Sequence, residues 1–142
     1  MNTGIITINK TFTAPAAAIW RAWTEPAMIK QWFGSDANGT VLSAQLNVQP
    51  GGNFEISFAN ADGAQHTCFG IYLLVQPYTK LSFTWTWKSE PGIESLVTVE
   101  IEPMGDFTVM HFTHAHVGFA SAHNYRQGWA DTFYKLERAL GG

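Results

Sequence analysis

Hydrophobic and polar positions alternate with two different periods along the chain, and each change of period marks an element. Residues 3–13 are rich in Thr and Ile, which is typical of a strand. Pro15 suits the first position of a helix, and the apolar residues after it recur at helical spacing until residues 24–26 interrupt them. A second short helix is expected from Pro26 to Trp32. The pattern therefore predicts one strand followed by two short helices.

Between residues 40 and 113 the period changes to two, which is the pattern of strands with one buried face. Two turn sequences, NADG at 60–63 and MGD at 104–106, separate successive runs. Residues 69–75 are apolar on both faces, so their orientation stays open. Strand after strand joined by short turns predicts a single antiparallel sheet with one apolar face. The residues on that face are Phe54, Ile56, Phe58, Leu81, Phe83, Trp85, Trp87, Val97, Val99, Ile101, Met110, Phe112 and His114.

The last segment returns to the helical period. From Ala120 to Leu140 the apolar residues recur three or four positions apart and form one stripe. A helix of this length would span about 30 Å, which is enough to cross a whole sheet. The stripe consists of Ala122, Tyr125, Trp129, Phe133, Leu136 and Leu140. The predicted fold class is α+β, with a curved antiparallel sheet of about six or seven strands wrapped around one long C-terminal helix.

The composition fits a single domain with an unusual interior. The chain has 142 residues, so we expect one domain over residues 1–142. Charged residues make up 13% of the chain, about half the usual share, whereas six Trp and ten Phe are present. Either a partner covers much of the surface or side chains line an internal cavity. A homodimer is therefore compatible with the composition.

Charge and cysteine content argue against several classes of partner and compartment. The formal net charge is −3 and the Lys and Arg residues are scattered, which disfavours binding to nucleic acid. The N-terminus lacks the pattern of a signal peptide, and no run reaches the ~18 apolar residues of a membrane span. Cys68 is the one cysteine, so no intramolecular disulfide forms. We expect a cytoplasmic protein without membrane insertion.

Histidines cluster near the end of the last predicted strand and on the helix after it. A metal site is one interpretation of His111, His114, His116 and His123, because imidazole is the commonest metal ligand. Strand alternation puts His114 and His116 on one face and His111 on the other, and the spacing of a closed metal site is missing. We therefore predict no metal and no cofactor. His114, which points inward by alternation, is either a hydrogen-bonded structural residue or a polar contact or general acid in a cavity.

Aromatic side chains on the apolar faces are the strongest candidates for ligand binding. An aromatic-lined space between a sheet and a helix suits a hydrophobic ligand. Ordinary core packing is the alternative interpretation of each of these rings. The predicted ligand-binding residues are Trp32, Phe54, Phe83, Trp85, Phe112, His114, Tyr125, Trp129 and Phe133. No residue is predicted to be catalytic.

Five groups of motifs, in order along the chain, resemble one known family. They are PAAAIWRAWTEP at 15–26 with QWFG at 31–34, PGGNF at 50–54, DG at 62–63, GIY at 70–72 followed by LSFTW at 81–85, and GW at 128–129. These motifs resemble the AHSA-like family, which is named after an activator of the ATPase of heat-shock protein 90. The resemblance spans residues 6–140. It implies the helix-grip fold of the START-like (SRPBCC) superfamily, which includes lipid carriers and polyketide cyclases.

Three functions are compatible with this sequence, and the first is favoured. It is the binding of a small hydrophobic ligand, such as a lipid, an isoprenoid or a polyketide-like molecule, between the sheet and the C-terminal helix. This hypothesis expects a cavity of roughly a few hundred Å³. The second function is an enzyme of cyclase, hydratase or hydrolase type, for which His114 is the candidate acid–base residue. The third is a co-chaperone-like interaction module, which needs an exposed docking patch.

Overall fold

Seven strands and three helices account for most of the residues that the structure, a computed structural model, describes. Those residues are 3–118 and 125–141. The strands are β1 (Thr3–Phe12), β2 (Thr40–Leu46), β3 (Asn53–Ala59), β4 (Gln65–Gln76), β5 (Lys80–Trp87), β6 (Ser95–Pro103) and β7 (Thr108–Gly118). The helices are α1 (Ala16–Thr24), α2 (Pro26–Trp32) and α3 (Tyr125–Ala139). None of these three helices is long and apolar enough to cross a membrane.

The predicted order of elements is confirmed, with one strand, two short helices, a run of strands and a final helix. The second short helix has the predicted bounds, and the first begins one residue after Pro15. The first part of the predicted final helix, which includes Ala120, Ala122 and His123, lies outside the described residues. The described part of that helix carries the predicted stripe, because Tyr125, Trp129, Phe133 and Leu136 are buried.

All seven strands belong to one antiparallel sheet in the order β1-β7-β6-β5-β4-β3-β2. Strands β2 to β7 are neighbours in sequence order, so only the connection from β1 to β2 crosses the sheet, and it contains α1 and α2. The sheet curves around α3, whose Trp129 and Phe133 meet Phe112 of β7 with ring centroids 4.6 and 4.9 Å away. This arrangement confirms the predicted α+β fold class.

Pro26 sets the boundary between the two short helices. Pro26 lacks a backbone N–H and disfavours helical backbone at Glu25, which is extended and ends α1. The same proline then occupies the first position of α2, where a missing N–H costs nothing. Helix α2 ends at Trp32. The next residue, Phe33, is again extended, and Gly34 follows with a φ of +99°. Phe33 and Gly34 thereby begin the loop from α2 to β2.

An aromatic cluster fills the middle of the space between sheet and helices. The ring of Trp23 packs edge-on against Trp32 at 4.9 Å and stacks on Phe112 at 6.1 Å. Trp129 and Phe133 of α3 complete the cluster at 6.2 and 6.1 Å from Trp23. Each such ring contributes about 1.5–3 kcal/mol through its burial. Because rings occupy this region, the free space lies beside the first turns of α3 instead.

Strand β7 contains an irregularity that corrects one prediction. Gly4 pairs with Val117 and Ile5 with Ala115, so His116 is an extra residue in the ladder. Its φ of +62° marks a β-bulge. The bulge turns the side chain of His116 to solvent, whereas His114 is completely buried. The prediction that His114 and His116 share one face is therefore wrong.

Gly70 leaves no room for a side chain between β4 and β5. A Cβ atom on this residue would overlap the backbone carbonyl oxygen of Thr84 and would press on the ring of Phe54. The hydroxyl of Thr84 accepts the backbone N–H of Ile71 at 2.9 Å, and the register of the two strands shifts between Tyr72 and Leu74. Glycine at this position therefore permits the tight pairing of β4 with β5, a strand that supplies part of the site described below.

Candidate functional site

A half-open pocket of about 120 Å³ lies between the first turns of α3, the loop after α2, and strands β3, β4 and β5. It is lined by Phe33, Gly34, Ser35, Phe58, His66, Trp85, Trp87, Tyr125, Gly128, Trp129 and Thr132. Six of these residues are Phe, Tyr or Trp, and no Asp, Glu, Lys or Arg is among them. Such a lining suits an uncharged apolar group.

Gly128 of α3 keeps this pocket open. Glycine inside a helix costs about 0.5–1 kcal/mol relative to alanine. A Cβ atom at Gly128 would meet only the Cβ of Ser35, at an ordinary contact distance of 3.9 Å. Packing among the described residues therefore does not require glycine at this position. The missing side chain instead leaves space between α3 and the loop after α2.

Lys135 of α3 holds the loop that forms one wall of the pocket. Its Nζ donates to the carbonyl oxygens of Gly34 at 3.1 Å and Asp36 at 2.9 Å, and that of Phe33 is 3.5 Å away. The carboxylate of Asp36 accepts the backbone N–H of Ala61 at 2.8 Å, which is the main reason why the pKa of Asp36 is lowered. Partial burial lowers the pKa of Lys135. The loop is thus tied both to α3 and to the turn between β3 and β4.

Substitution of Lys135 by Met is expected to lower the free energy of unfolding by about 1 kcal/mol, because three carbonyl oxygens lose a partly buried charged donor. Urea denaturation of the variant and of the original protein measures the difference. Lys30→Met is the matched control, since Lys30 is exposed on α2. An equal loss in both variants would contradict a role of Lys135 in holding the loop.

His114 is part of a closed hydrogen-bond network beside the pocket. The indole N–H of Trp129 donates to Nδ1 of His114 at 2.9 Å. Because an indole can only donate, Nδ1 is an acceptor and Nε2 carries the proton. Nε2 donates to Oγ of Ser95 at 2.6 Å, and Ser95 donates to the carbonyl oxygen of Trp85 at 3.0 Å. Both ring nitrogens of His114 are therefore engaged, and its burial lowers its pKa to about 3.

Unlike the ring nitrogens of His114, the indole nitrogen of Trp85 is buried without a hydrogen-bond partner among the described residues. A buried donor without an acceptor costs about 1–3 kcal/mol. The ring itself is well packed, with Trp87 and Trp129 both at 5.2 Å. Trp85 lines the pocket and also a void of about 10 Å³ deeper in the core.

The nine predicted ligand-binding residues are all buried, but they fall into three groups. Three line the pocket, namely Trp85, Tyr125 and Trp129. Two line the deeper void together with Trp85, namely Phe54 and Phe83. The other four belong to the packed interior and line neither space, namely Trp32, Phe112, His114 and Phe133. A role of the nine in ligand binding stays a prediction.

Several lining residues were not among the candidates. Phe58 and Trp87 follow Phe54 and Trp85 on the same inward faces, so strand alternation already indicated their direction. Gly128 lies inside a helical pattern, and a glycine at such a position usually serves packing or function. Phe33 comes after the last residue of α2, and no periodic pattern predicts the direction of such a side chain.

A second concavity, of about 620 Å³, lies on the outer side of β3, β4 and β5, away from α3. Eight of its thirteen lining residues are polar or charged, and the ion pair between Lys88 and Glu55, at 3.1 Å, is part of it. Although this groove is larger than the inner pocket, it lacks the aromatic enclosure that holds an apolar molecule. We therefore place the candidate site at the inner pocket.

The histidines and the cysteine do not gather around a metal position in the part of the chain that the structure describes. No group of three His, Cys, Asp or Glu residues there could hold a metal ion. His111 on the outer face bonds to Asn9 at 2.9 Å and to Glu102 at 3.0 Å. Cys68 is completely buried, and desolvation raises the pKa of its thiol, so the reactive thiolate is disfavoured.

The fold and motifs identify the family. A family model described as Activator of Hsp90 ATPase homolog 1-like protein matches residues 13–141, which begin directly after β1 and extend two residues beyond α3. The chain belongs to this family. The resemblance inferred from the five groups of motifs is thereby confirmed, and membership of the Activator of Hsp90 ATPase homolog 1-like family supports a ligand-binding or co-chaperone-like fold. No match is found among curated proteins.

Solved structures of the same architecture come from several bacteria. A protein from Chromobacterium violaceum has a TM-score of 0.85 at 17% identity, with 98% of this chain and 99% of that chain covered. A protein from Rhizobium leguminosarum has a TM-score of 0.81 at 27% identity, with 98% and 95% covered. An AHSA1-like protein from Aeromonas hydrophila has a TM-score of 0.81 at 21% identity, with 97% and 92% covered. These similarities show that the chain has the helix-grip fold of the SRPBCC proteins.

Proposed function

We propose that the protein binds a small, uncharged apolar molecule reversibly in the pocket between α3 and strands β3 to β5. The observation that carries the proposal is Gly128, an interior helix glycine that packing does not require and that opens space inside an aromatic wall. A protein under selection for stability alone would gain from a side chain at this position. The retained space favours a role in binding.

The volume of the pocket limits what can be enclosed. The expected cavity of a few hundred Å³ is not found at this site, because the pocket measures only about 120 Å³. The pocket is comparable to an engineered apolar cavity of about 150 Å³ that binds benzene. We infer that the pocket takes one ring or one branched chain end. A longer lipid, isoprenoid or polyketide-like molecule would insert such an end and extend through the open side.

The hydrogen bonds of His114 and the aromatic lining of the pocket favour binding over the alternative functions. Catalysis by His114 would need a ring nitrogen free to take or give a proton, and both nitrogens are engaged with Trp129 and Ser95. A co-chaperone-like module would need a docking patch rather than an aromatic pocket. The pocket therefore favours a ligand-binding role within the family.

Substitution of Gly128 by Leu tests the proposal. The new side chain would fill the pocket, so the affinity for benzene and toluene is expected to fall at least about tenfold. The fold should tolerate the change, because leucine is a better helix former than glycine. Titrations followed by amide chemical shifts measure both the affinity and the integrity of the fold.

Ala130→Leu is the matched control, since Ala130 is exposed on the same helix. It should leave the affinity for both probes unchanged. Equal affinity of the Gly128→Leu variant and the original protein would place binding elsewhere, and the absence of binding to the original protein would refute a ring-sized ligand. Native mass spectrometry of protein purified from its own host, followed by extraction, would then identify the natural ligand.

A further inference from the structure

The pocket has a polar residue at its rim and aromatic rings below. Of its eleven described lining residues, Ser35 alone is exposed, whereas His66 and Gly128 are half-buried. The other eight are buried, and all six aromatic residues of the lining are among them. A ring bound in this pocket would therefore have its buried side among aromatic walls and its outer side beside a serine.

Ser35 borders the space that Gly128 leaves open. A Cβ atom at Gly128 would lie 3.9 Å from the Cβ of Ser35, the carbon that carries the Ser35 hydroxyl. Because Ser35 also belongs to the lining of the pocket, its hydroxyl lies at the edge of this space. A molecule that occupies the space is therefore brought close to a hydroxyl group.

The backbone on both sides of Ser35 is fixed. Nζ of Lys135 donates to the carbonyl oxygens of Gly34 and Asp36, at 3.1 and 2.9 Å, which are the residues before and after the serine. The carboxylate of Asp36 also accepts the backbone N–H of Ala61 at 2.8 Å. The position of Ser35 is thus set before a ligand arrives, and a group that is already in place loses less entropy when it binds.

Two other polar groups in the wall of the pocket already have partners. The hydroxyl of Thr132 donates to the carbonyl oxygen of Gly128 at 2.7 Å. The indole N–H of Trp129 donates to His114 at 2.9 Å. The hydroxyl of Ser35, in contrast, makes no hydrogen bond to any residue that the structure describes. It can therefore donate a hydrogen bond to a ligand or accept one from it.

The lining also limits the charge of a polar group on the ligand. None of the eleven described lining residues is Asp, Glu, Lys or Arg. An ionised group would therefore lose hydration in the pocket without gaining a salt bridge to one of these residues, which is costly. A hydroxyl or carbonyl group needs only a hydrogen bond, and Ser35 can supply it.

We propose that the ligand carries one hydroxyl or carbonyl group on the ring or branch that enters the pocket, and that Ser35 binds this group at the rim. The apolar side of the ligand lies against the buried aromatic rings. Ser35 thereby determines the orientation and the chemical class of the ligand, as a few placed polar groups do in other apolar pockets. The inference rests on the proposed function, because it specifies the ligand of the same pocket.

Substitution of Ser35 by Ala tests this contact with phenol and toluene, two probes of similar size that differ by a hydroxyl and a methyl group. The variant is expected to bind phenol about fivefold more weakly than the original protein, because one hydrogen bond to the ligand is lost. The affinity for toluene should stay within about twofold, since its methyl group makes no such bond. Titrations followed by amide chemical shifts measure the dissociation constants.

Ser43→Ala is the matched control, since Ser43 is exposed on β2 and is not among the lining residues. It should leave the affinity for both probes unchanged. Equal losses for phenol and toluene in Ser35→Ala, or no loss for either probe, would refute the contact with Ser35 while the pocket stands. Failure of phenol to bind an original protein that binds toluene would refute the polar ligand class. Failure of toluene and benzene to bind the original protein would instead refute the proposed function.

Discussion

Acidification from pH 7 to pH 4.5 is expected to lower the free energy of unfolding by about 2.5 kcal/mol through His114 alone. The imidazole is completely buried, and desolvation lowers its pKa from 6.5 to about 3. The unfolded chain therefore binds a proton near pH 6.5, whereas the folded protein does so only near pH 3. Stability from this group is complete above pH 6.5 and decreases as the pH falls through that window.

The network around His114 explains why the folded state resists the proton. A proton on Nδ1 would face the indole N–H of Trp129, which already donates to that atom at 2.9 Å. Two donors would then meet in a buried space, and one hydrogen bond would be lost. Relief would require Trp129 to leave its position against Phe112 and Phe133 in the aromatic core.

Urea denaturation at several pH values between 7 and 4.5 measures the effect, with His114→Gln as the variant that cannot titrate. The stability of the original protein should fall more steeply with acid than that of the variant. His116→Asn, at the exposed bulge of the same strand, is the control and should keep the original slope. Identical slopes for the original protein and His114→Gln would refute the assignment.

Gly70→Ala is expected to lower the free energy of unfolding by about 3 kcal/mol. The added Cβ would overlap the carbonyl oxygen of Thr84, so β4 and β5 would have to separate close to the register shift between them. Backbone atoms of a paired strand cannot turn aside as the end of a side chain can. Thermal and urea denaturation measure the loss, and amide exchange would localise it to β4 and β5.

Gly92→Ala is the matched control for this prediction. Gly92 lies in the turn between β5 and β6, and a Cβ there would meet no atom within 4 Å. Its effect on the free energy of unfolding should stay within about 0.5 kcal/mol. If the two alanine variants had comparable denaturation midpoints, β4 and β5 could move further apart without loss of stability, and the prediction would be wrong.

The fold was accessible to sequence reasoning because its elements are long and strongly periodic. Pro26 marks both the end of one short helix and the start of the next, and the alternation around Phe54 and Trp85 gives the buried face of the sheet correctly. The bulge at His116 was not predictable in this way. One extra residue with a positive φ reverses the alternation, and only the pairing partners in β1 reveal it.

The candidate site was only partly accessible. Periodicity tells which side chains point inward, but it does not tell which inward rings touch each other and which border free space. Phe112 and Phe133 point inward as predicted and then fill the core at a centroid distance of 4.9 Å. Phe33 lines the pocket although it belongs to no periodic element, because the direction of its side chain depends on how α2 ends.

The walls of the pocket contain half of the tryptophans of the chain, namely Trp85, Trp87 and Trp129. Indole emission shifts in wavelength and intensity when the polarity around the ring changes. An occupant of the pocket would therefore alter the intrinsic fluorescence of the protein without any attached dye. Intrinsic tryptophan fluorescence can therefore report directly on occupancy of the pocket.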